Sequence, residues 1–290
     1  MVKDGRNLRV EGEDFHLVMD LARGIITEWK RDNIAIVRSG PELNLWRAPI
    51  DNDKWILAKW IQNGLDHAKQ FVRETHFELT DTHEAVIHVR YTVSANGQGS
   101  ILHGDATYII HGDGDVILRQ NLTPALDIEA LPRIGVLLSL PGEFNHMLWY
   151  GRGPHENYPD RCSSAKVGIW RGKVEEQYVP YIRPQENGGK SDVRWIVLTN
   201  DRGVGLKVQG AQRLIATASR YSSKDLTLAK HTCDLVERDE IFLSLDHAVC
   251  GLGSASCGPR PLEKYILKPI ETRFEIHFQP ISLDRNSALP

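Results

Sequence analysis

The sequence predicts an all-β fold, a large antiparallel sandwich, on three observations. Apolar residues alternate at period two in segment after segment, tight-turn residues separate those segments at short intervals, and only one stretch shows the spacing of an amphipathic helix. A β/α barrel would fit in 290 residues, but it needs a helix after every strand, and the pattern excludes it.

The elements are justified in chain order. Residues 15–19 and 25–30 read as strands. Residues 54–67 form the helical stretch, with Trp55, Ile56, Trp60, Ile61 and Leu65 at three-to-five spacing. Val86-Ile87-His88-Val89-Arg90-Tyr91-Thr92-Val93 alternates and gives the next strand. Residues 108–111 and 116–119 flank Gly112-Asp113-Gly114-Asp115, a hairpin signal because Gly and Asp tolerate the positive φ of tight turns. Residues 134–140 follow as a strand, and a short helical turn is expected at 174–178. Residues 195–199 and 204–208 flank Asn200-Asp201-Arg202-Gly203 as a second hairpin. Leu214-Ile215-Ala216-Thr217-Ala218-Ser219, residues 241–249 and Arg273-Phe274-Glu275-Ile276-His277-Phe278 complete the set, each read as one strand. No linker or repeat divides the chain, so residues 1–290 are taken as a single domain with a polar tail, 281–290, expected to fray.

Composition narrows the function classes. Hydrophobic residues make up 41% and charged residues 25%, so a sizeable core is expected. With 35 Lys and Arg against 38 Asp and Glu, the net charge of −3 offers no electrostatic reason for nucleic acid or an anionic membrane as partner. There is no apolar run long enough for a membrane span, and the N-terminal residues lack a signal peptide's apolar region, which gives a cytoplasmic expectation. The four cysteines, Cys162, Cys233, Cys250 and Cys257, show no metal-ligand spacing and read as free thiols, Cys250 in a strand and Cys257 in a loop.

Four segments concentrate special residues. Leu148-Trp149-Tyr150-Gly151-Arg152-Gly153-Pro154-His155-Glu156-Asn157-Tyr158-Pro159-Asp160-Arg161 and Val179-Pro180-Tyr181-Ile182-Arg183-Pro184-Gln185-Glu186-Asn187-Gly188-Gly189 read as irregular loops rich in hydrogen-bonding side chains. Such loops suit a polyhydroxylated ligand, whose hydroxyls take bidentate partners and whose apolar faces stack on rings. They equally suit the loops' own backbone, and structural buttressing is weighed above ligand contact. In Asn44-Leu45-Trp46-Arg47-Ala48-Pro49-Ile50-Asp51-Asn52-Asp53, the carboxylates Asp51 and Asp53 sit just before the helix and are read as caps rather than cation ligands. Cys250-Gly251-Leu252-Gly253-Ser254-Ala255-Ser256-Cys257-Gly258-Pro259 is glycine-rich but lacks a phosphate loop's Lys-Ser/Thr ending.

Trp46-Arg47-Ala48-Pro49-Ile50-Asp51-Asn52-Asp53, Gly151 to Arg161, Tyr178-Val179-Pro180-Tyr181, Pro184-Gln185-Glu186-Asn187-Gly188, Ser219-Arg220-Tyr221-Ser222 and Gly251-Leu252-Gly253, taken together and in this order, resemble the C-terminal or small-chain domain of glycoside hydrolase family 2 β-galactosidases. The resemblance runs from about Val10 to Gln279. It implies a galactose mutarotase-like supersandwich. It also implies a partner: a β/α barrel, as a neighbouring domain or a large subunit, that bears the two glutamates of retaining hydrolysis, about 5–5.5 Å apart. Nothing here resembles the barrel's motifs, so no catalytic residue and no cofactor is assigned to this chain; Mg or Na belongs with the barrel. The isolated chain is expected to be inactive on lactose.

The resemblance further places Ser254, Ala255, Ser256, Cys257 and Gly258 at the rim of the galactoside pocket. Cys257 falls where well-known members have a tryptophan that stacks on sugar, and a thiol supplies little of that area. Trp46, Arg47, Asp51, Asn52, Asp53, His155, Glu156, Asn157, Tyr158, Asp160, Arg161, Glu186 and Asn187 are read as mainly structural supports of that rim. Two other classes remain open: an aldose 1-epimerase-like enzyme, for which His155, Glu156, Glu186 and His247 are the residue types needed, and a carbohydrate-binding module.

Overall fold

Five short strands in sequence, β1 (Val2–Asp4), β2 (Asn7–Glu11), β3 (Phe15–Asp20), β4 (Ile25–Arg31) and β5 (Ile34–Val37), pair with their neighbours to form an antiparallel meander. This computed structural model describes residues 1–95, 97 and 99–282. The rest of the strands build one twelve-stranded sheet: β6 (Ser39–Asn44), β7 (Lys69–Leu79), β8 (Ala85–Ser94), β9 (Ser100–Ile110), β10 (Val116–Pro124), β11 (Arg133–Pro141), β12 (His146–Gly153), β13 (Lys166–Lys173), β14 (Lys190–Thr199), β15 (Val204–Ser219), β16 (Glu240–Val249) and β17 (Thr272–Ser282). Short helices α1 (Leu57–Gln62) and α2 (Ser223–Leu228) interrupt it.

The main path runs β13-β12-β14-β15-β17-β10-β9-β8-β7. It branches at β15. The first half of that strand, Val204 to Gly210, pairs with β17, and the second half, Ile215 to Ser219, pairs with β16, which leads on to β11 and β6. One long strand thus belongs to two layers. The meander covers the β8–β9 region, where the Tyr108 hydroxyl lies 3.1 Å from the Gly24 carbonyl and 3.2 Å from that of Pro41. Leu8, Leu17 and Trp29 of the meander share a core with Ile87, Tyr108 and Leu118 of the large sheet.

The predicted all-β class is present and every predicted strand falls on a strand, although residues 204–208 and 214–219, read as two strands, form the single strand β15; four further local expectations need correction. The helical stretch is broken: a 3-10 turn Asp51–Trp55, the six-residue α1, and a second 3-10 turn Leu65–His67. Ile56 leaves helical geometry at φ −131°, and Gly64 adopts the left-handed region at φ 70°, so the run cannot continue through either. Residues 148–153, read as loop, continue strand β12, and the irregular chain starts only at Pro154. Leu214 to Ala218 is buried on both faces rather than one, because loops cover the face that Ile215 and Thr217 present. Cys250 lies one residue past β16, buried, with its N–H donating to the Pro132 carbonyl. The expected turn at 174–178 is the 3-10 turn Glu175–Gln177. Of the predicted tail, Ile281 and Ser282 pair with Gly205 and Val204 at the end of β17, and 283–290 lie outside the described residues.

Candidate functional site

Strand ends at one side of the large sheet deliver the four special segments to a single place, and their side chains bond mainly to one another's backbones. Asn157 is wholly buried; its Oδ1 accepts the Ser191 N–H at 2.9 Å and its Nδ2 donates to the His155 carbonyl at 3.0 Å. Glu156 accepts from the Arg161 guanidinium and the Tyr181 hydroxyl on one oxygen, and from the Gly188 N–H at 2.8 Å on the other. Tyr158 is buried, its hydroxyl accepts the Gly189 N–H at 3.3 Å, and the Arg161 guanidinium lies 5.5 Å from its ring centre. Asn187 accepts from the Val179 N–H at 3.0 Å and donates to the Gln185 carbonyl at 2.9 Å. Together these bonds fasten the loop after β12 to the loop before β14.

The same cluster reaches the remaining two segments. Gln185 takes the Asp51 N–H at 3.2 Å and donates to the Asp51 carboxylate at 3.2 Å. Asp160 accepts the Leu252 N–H at 2.9 Å and the Gly253 N–H at 2.7 Å, one on each oxygen. Asn52 bridges the loop beyond, donating to the Gly253 carbonyl at 2.8 Å and accepting the Ser256 N–H at 2.9 Å, while Lys54 Nζ donates to the Ser256 carbonyl at 2.6 Å. Gly253 sits at φ +62°, and a Cβ there would stand 2.8 Å from Pro261 N. The result is a closed turn in which Ala255 is buried while Ser254, Ser256, Cys257 and Gly258 are exposed. Its own bonds close it further, from the Cys257 N–H to the Ser254 carbonyl at 3.1 Å and from the Ser254 N–H to the Pro259 carbonyl at 3.2 Å.

Two ion-pair systems lie beneath. Arg47 and Asp53, both buried, meet at 2.8 Å, and the second Asp53 oxygen accepts the Ile50 N–H at 2.9 Å. Asp53 therefore does cap the first turn, but by reaching back from inside it rather than standing before it; Asp51 also lies within the turn. With both Asp53 oxygens engaged and Asp51 bonded to Gln185, the two carboxylates do not form a donor set for a cation. Burial raises the Asp53 carboxyl above its usual range, and the Arg47 charge opposes that shift. Trp60 lies against Arg47, ring centre to guanidinium 5.5 Å, and Trp46 meets Trp60 edge-on at 6.1 Å.

The second system joins Glu186 to two charges outside the four segments, Arg133 and Asp246. Arg133 on β11 is 2.6 Å from Glu186, 2.7 Å from the Ser244 hydroxyl and 3.6 Å from Asp246, with Asp246 wholly buried on β16. One guanidinium serves two carboxylates, and Glu186 has the closer contact. Burial consequently pushes the Asp246 carboxyl up to about 7. Lys190, buried against the Trp149 ring at 5.4 Å, is shifted down to about 8 by burial. The available signal was a charge bordering an apolar run, Arg133 before Ile134 and Asp246 after Leu245.

The four residues considered for an epimerase have separate partners. His155 bonds Ser164 at 2.9 Å and is exposed; His247 bonds Gln212 at 3.0 Å and stacks on Phe274 at 5.7 Å; Glu156 and Glu186 are tied to Arg161 and Arg133.

With this geometry in view, comparison with known families is decisive. Residues 11–279 match the family model described as "Beta galactosidase small chain". The chain belongs to that family. A β-galactosidase of Priestia megaterium is 32% identical over 248 residues, covering 86% of this chain and 24% of the relative. One of Vibrio cholerae is 33% identical over 263 residues, 87% of this chain and 25% of that protein. The small-chain homologue described here thus spans about a quarter of the length of these relatives. Among solved structures, a GalM/aldose epimerase homologue from C. elegans superposes with a TM-score of 0.51 at 11% identity, covering 96% of this chain and 99% of that one. The fold is therefore galactose mutarotase-like.

Proposed function

We propose that this chain is the non-catalytic, substrate-rim domain of a retaining β-galactosidase that removes terminal non-reducing β-D-galactose, working beside a β/α barrel that carries the catalytic glutamates. The observation that carries this reading is the anchoring of the 254–258 turn: Asp160 holds the backbone that enters it at Leu252 and Gly253, and Asn52 and Lys54 hold Ser256, while its outer side chains are left exposed. A turn so held presents Cys257 in a fixed place to whatever packs over it. The carboxylates of the cluster support a structural role, since Asp53, Glu156, Asp160 and Glu186 are each engaged by a guanidinium or by backbone N–H groups. A general acid or a nucleophile needs a carboxyl group open to the glycosidic bond. Ile182, almost fully exposed on the loop that also carries Gln185, is an apolar contact ready for a neighbouring domain.

The test is complementation. The chain alone should not hydrolyse a nitrophenyl β-galactoside, and mixed with the barrel-bearing polypeptide of a family member it should restore hydrolysis. Turnover by the lone chain, or no gain on mixing, would sink the proposal.

A further inference from the structure

The outer face of the β13-β12-β14 edge carries an apolar row flanked by the cations Arg171, Lys173 and Lys207. The register sets Trp195, Tyr150 and Ile169 side by side across the three strands, with Val197, Leu148 and Arg171 in the next row. Tyr150 and Trp195 rings are 6.2 Å apart, and Ile169 is 58% exposed on a strand with no further neighbour at its outer edge. A groove of about 440 Å³ runs beside the second row, floored by Leu148 and Val197. Large apolar side chains in adjacent rows, next to an open strand edge, are the pattern of a covered surface rather than of a solvated one.

The charge on this face argues for the kind of partner. Arg171 and Lys173 make no ion pair among the described residues, and Lys207 continues the Val197 row from β15 in the same state. Of the carboxylates nearby, Asp192 pairs with Arg152 and Arg213, Asp201 pairs with His146 and also feels the Lys173 charge, and Glu176, which accepts the Lys173 N–H at 2.8 Å, lines the groove beside Lys173, so Arg171 and Lys207 carry the surplus positive charge. A positive face on a chain of net charge −3 is a local concentration, not a general property. A second copy docking through a two-fold axis would set this face against itself and bring like charges together.

We infer that the β12–β14 face is a second docking surface, separate from the 254–258 rim, for an acidic-edged apolar patch on the barrel-bearing polypeptide. The inference rests on the functional reading above. Aromatic and aliphatic groups at the centre supply the contact energy, and Arg171, Lys173 and Lys207 set orientation and association rate.

The experiment titrates the full chain against a family member's barrel-bearing polypeptide by surface plasmon resonance, comparing wild type with the double variant Ile169→Asp, Arg171→Glu. Both substituted residues are exposed, so circular dichroism and melting temperature should not move. The expected result is a Kd raised at least tenfold in the variant, with the wild-type Kd weakening as salt increases and the kcat of the saturated complex unchanged. Equal binding by the variant would overturn this inference while leaving the rim reading in place; failure of the wild type to bind would overturn both. A dimer of the lone chain in sedimentation that the double substitution abolishes would assign the face to a second copy, and would overturn the inference as well.

Discussion

Arg47 is completely buried, and its anionic partner among the described residues is Asp53 at 2.8 Å. Asp53→Ala should therefore cost about 3–5 kcal/mol in denaturant unfolding, because it leaves a buried guanidinium without compensation. Replacing both residues together, Arg47→Met with Asp53→Leu, should recover most of that loss; a single-variant cost below about 1 kcal/mol would show the pair is not what holds this corner. A second residue-scale prediction concerns Asn52, whose amide alone spans Gly253 and Ser256. Asn52→Ala should speed hydrogen exchange at the Ser256 amide at least tenfold and leave the Asn157 and Ser191 amides unchanged, as read by mass spectrometry or NMR. At this scale the sequence disclosed which residues cluster but not how they bond. Asp53 before an apolar run reads as a cap, and only the fold shows that its other oxygen neutralises Arg47. The pairing of Arg133 with Asp246 is not legible in the sequence, because a charge beside an apolar run identifies itself but not its distant partner.

Among the elements, interior strands were legible and irregular or peripheral ones were not. β8 and β10 bury alternate residues, so their periodicity reads directly. In β7 the register shifts between Val72 and Glu74, and the extra residue reverses the alternation halfway along, so it gave no signal. β13 lies at the sheet edge with no position fully buried. Helix α2 does carry a local signal: Ser222-Ser223-Lys224-Asp225 is a capping box, in which the Ser222 hydroxyl accepts the Asp225 N–H at 3.1 Å and the Asp225 carboxylate accepts the Ser222 N–H at 3.0 Å. Ser222→Ala should cost about 1 kcal/mol and raise exchange at the Asp225 and Leu226 amides first. An unchanged exchange rate there would mean that packing of Leu226, not the cap, fixes α2. Gly253→Ala combines a left-handed φ with a close approach to Pro261 and should cost about 1–3 kcal/mol by thermal unfolding, loosening the turn that presents Cys257.

For the whole molecule, the sequence disclosed an antiparallel sandwich but not its branching. The change of partner along β15 falls at Gly210 to Arg213, which locally reads only as a bend, and no periodicity reports which strands lie on either side. That branching has an electrostatic consequence, because it buries Asp246 of β16 beside Arg133 of β11 and within the field of Glu186. The folded chain then keeps a proton on Asp246 up to about pH 7, whereas the unfolded chain releases it near 3.8, the usual value for an aspartate. Between those limits the folded state binds more protons than the unfolded one, so this group's contribution to stability falls as pH rises and levels off above pH 7. The total is on the order of 4 kcal/mol. Exposed carboxylates paired with lysine, such as Glu28 and Glu129, have lowered values and act with the opposite sign, losing stability as pH falls through the acid range. The difference between wild type and Asp246→Asn separates the two effects. Measured by urea unfolding from pH 4.5 to 8, the variant should gain on the wild type steadily up to about pH 7 and hold a constant margin beyond it. A difference that stays flat across that range would mean that Asp246 is ionised throughout, with Arg133 compensating it despite the longer contact.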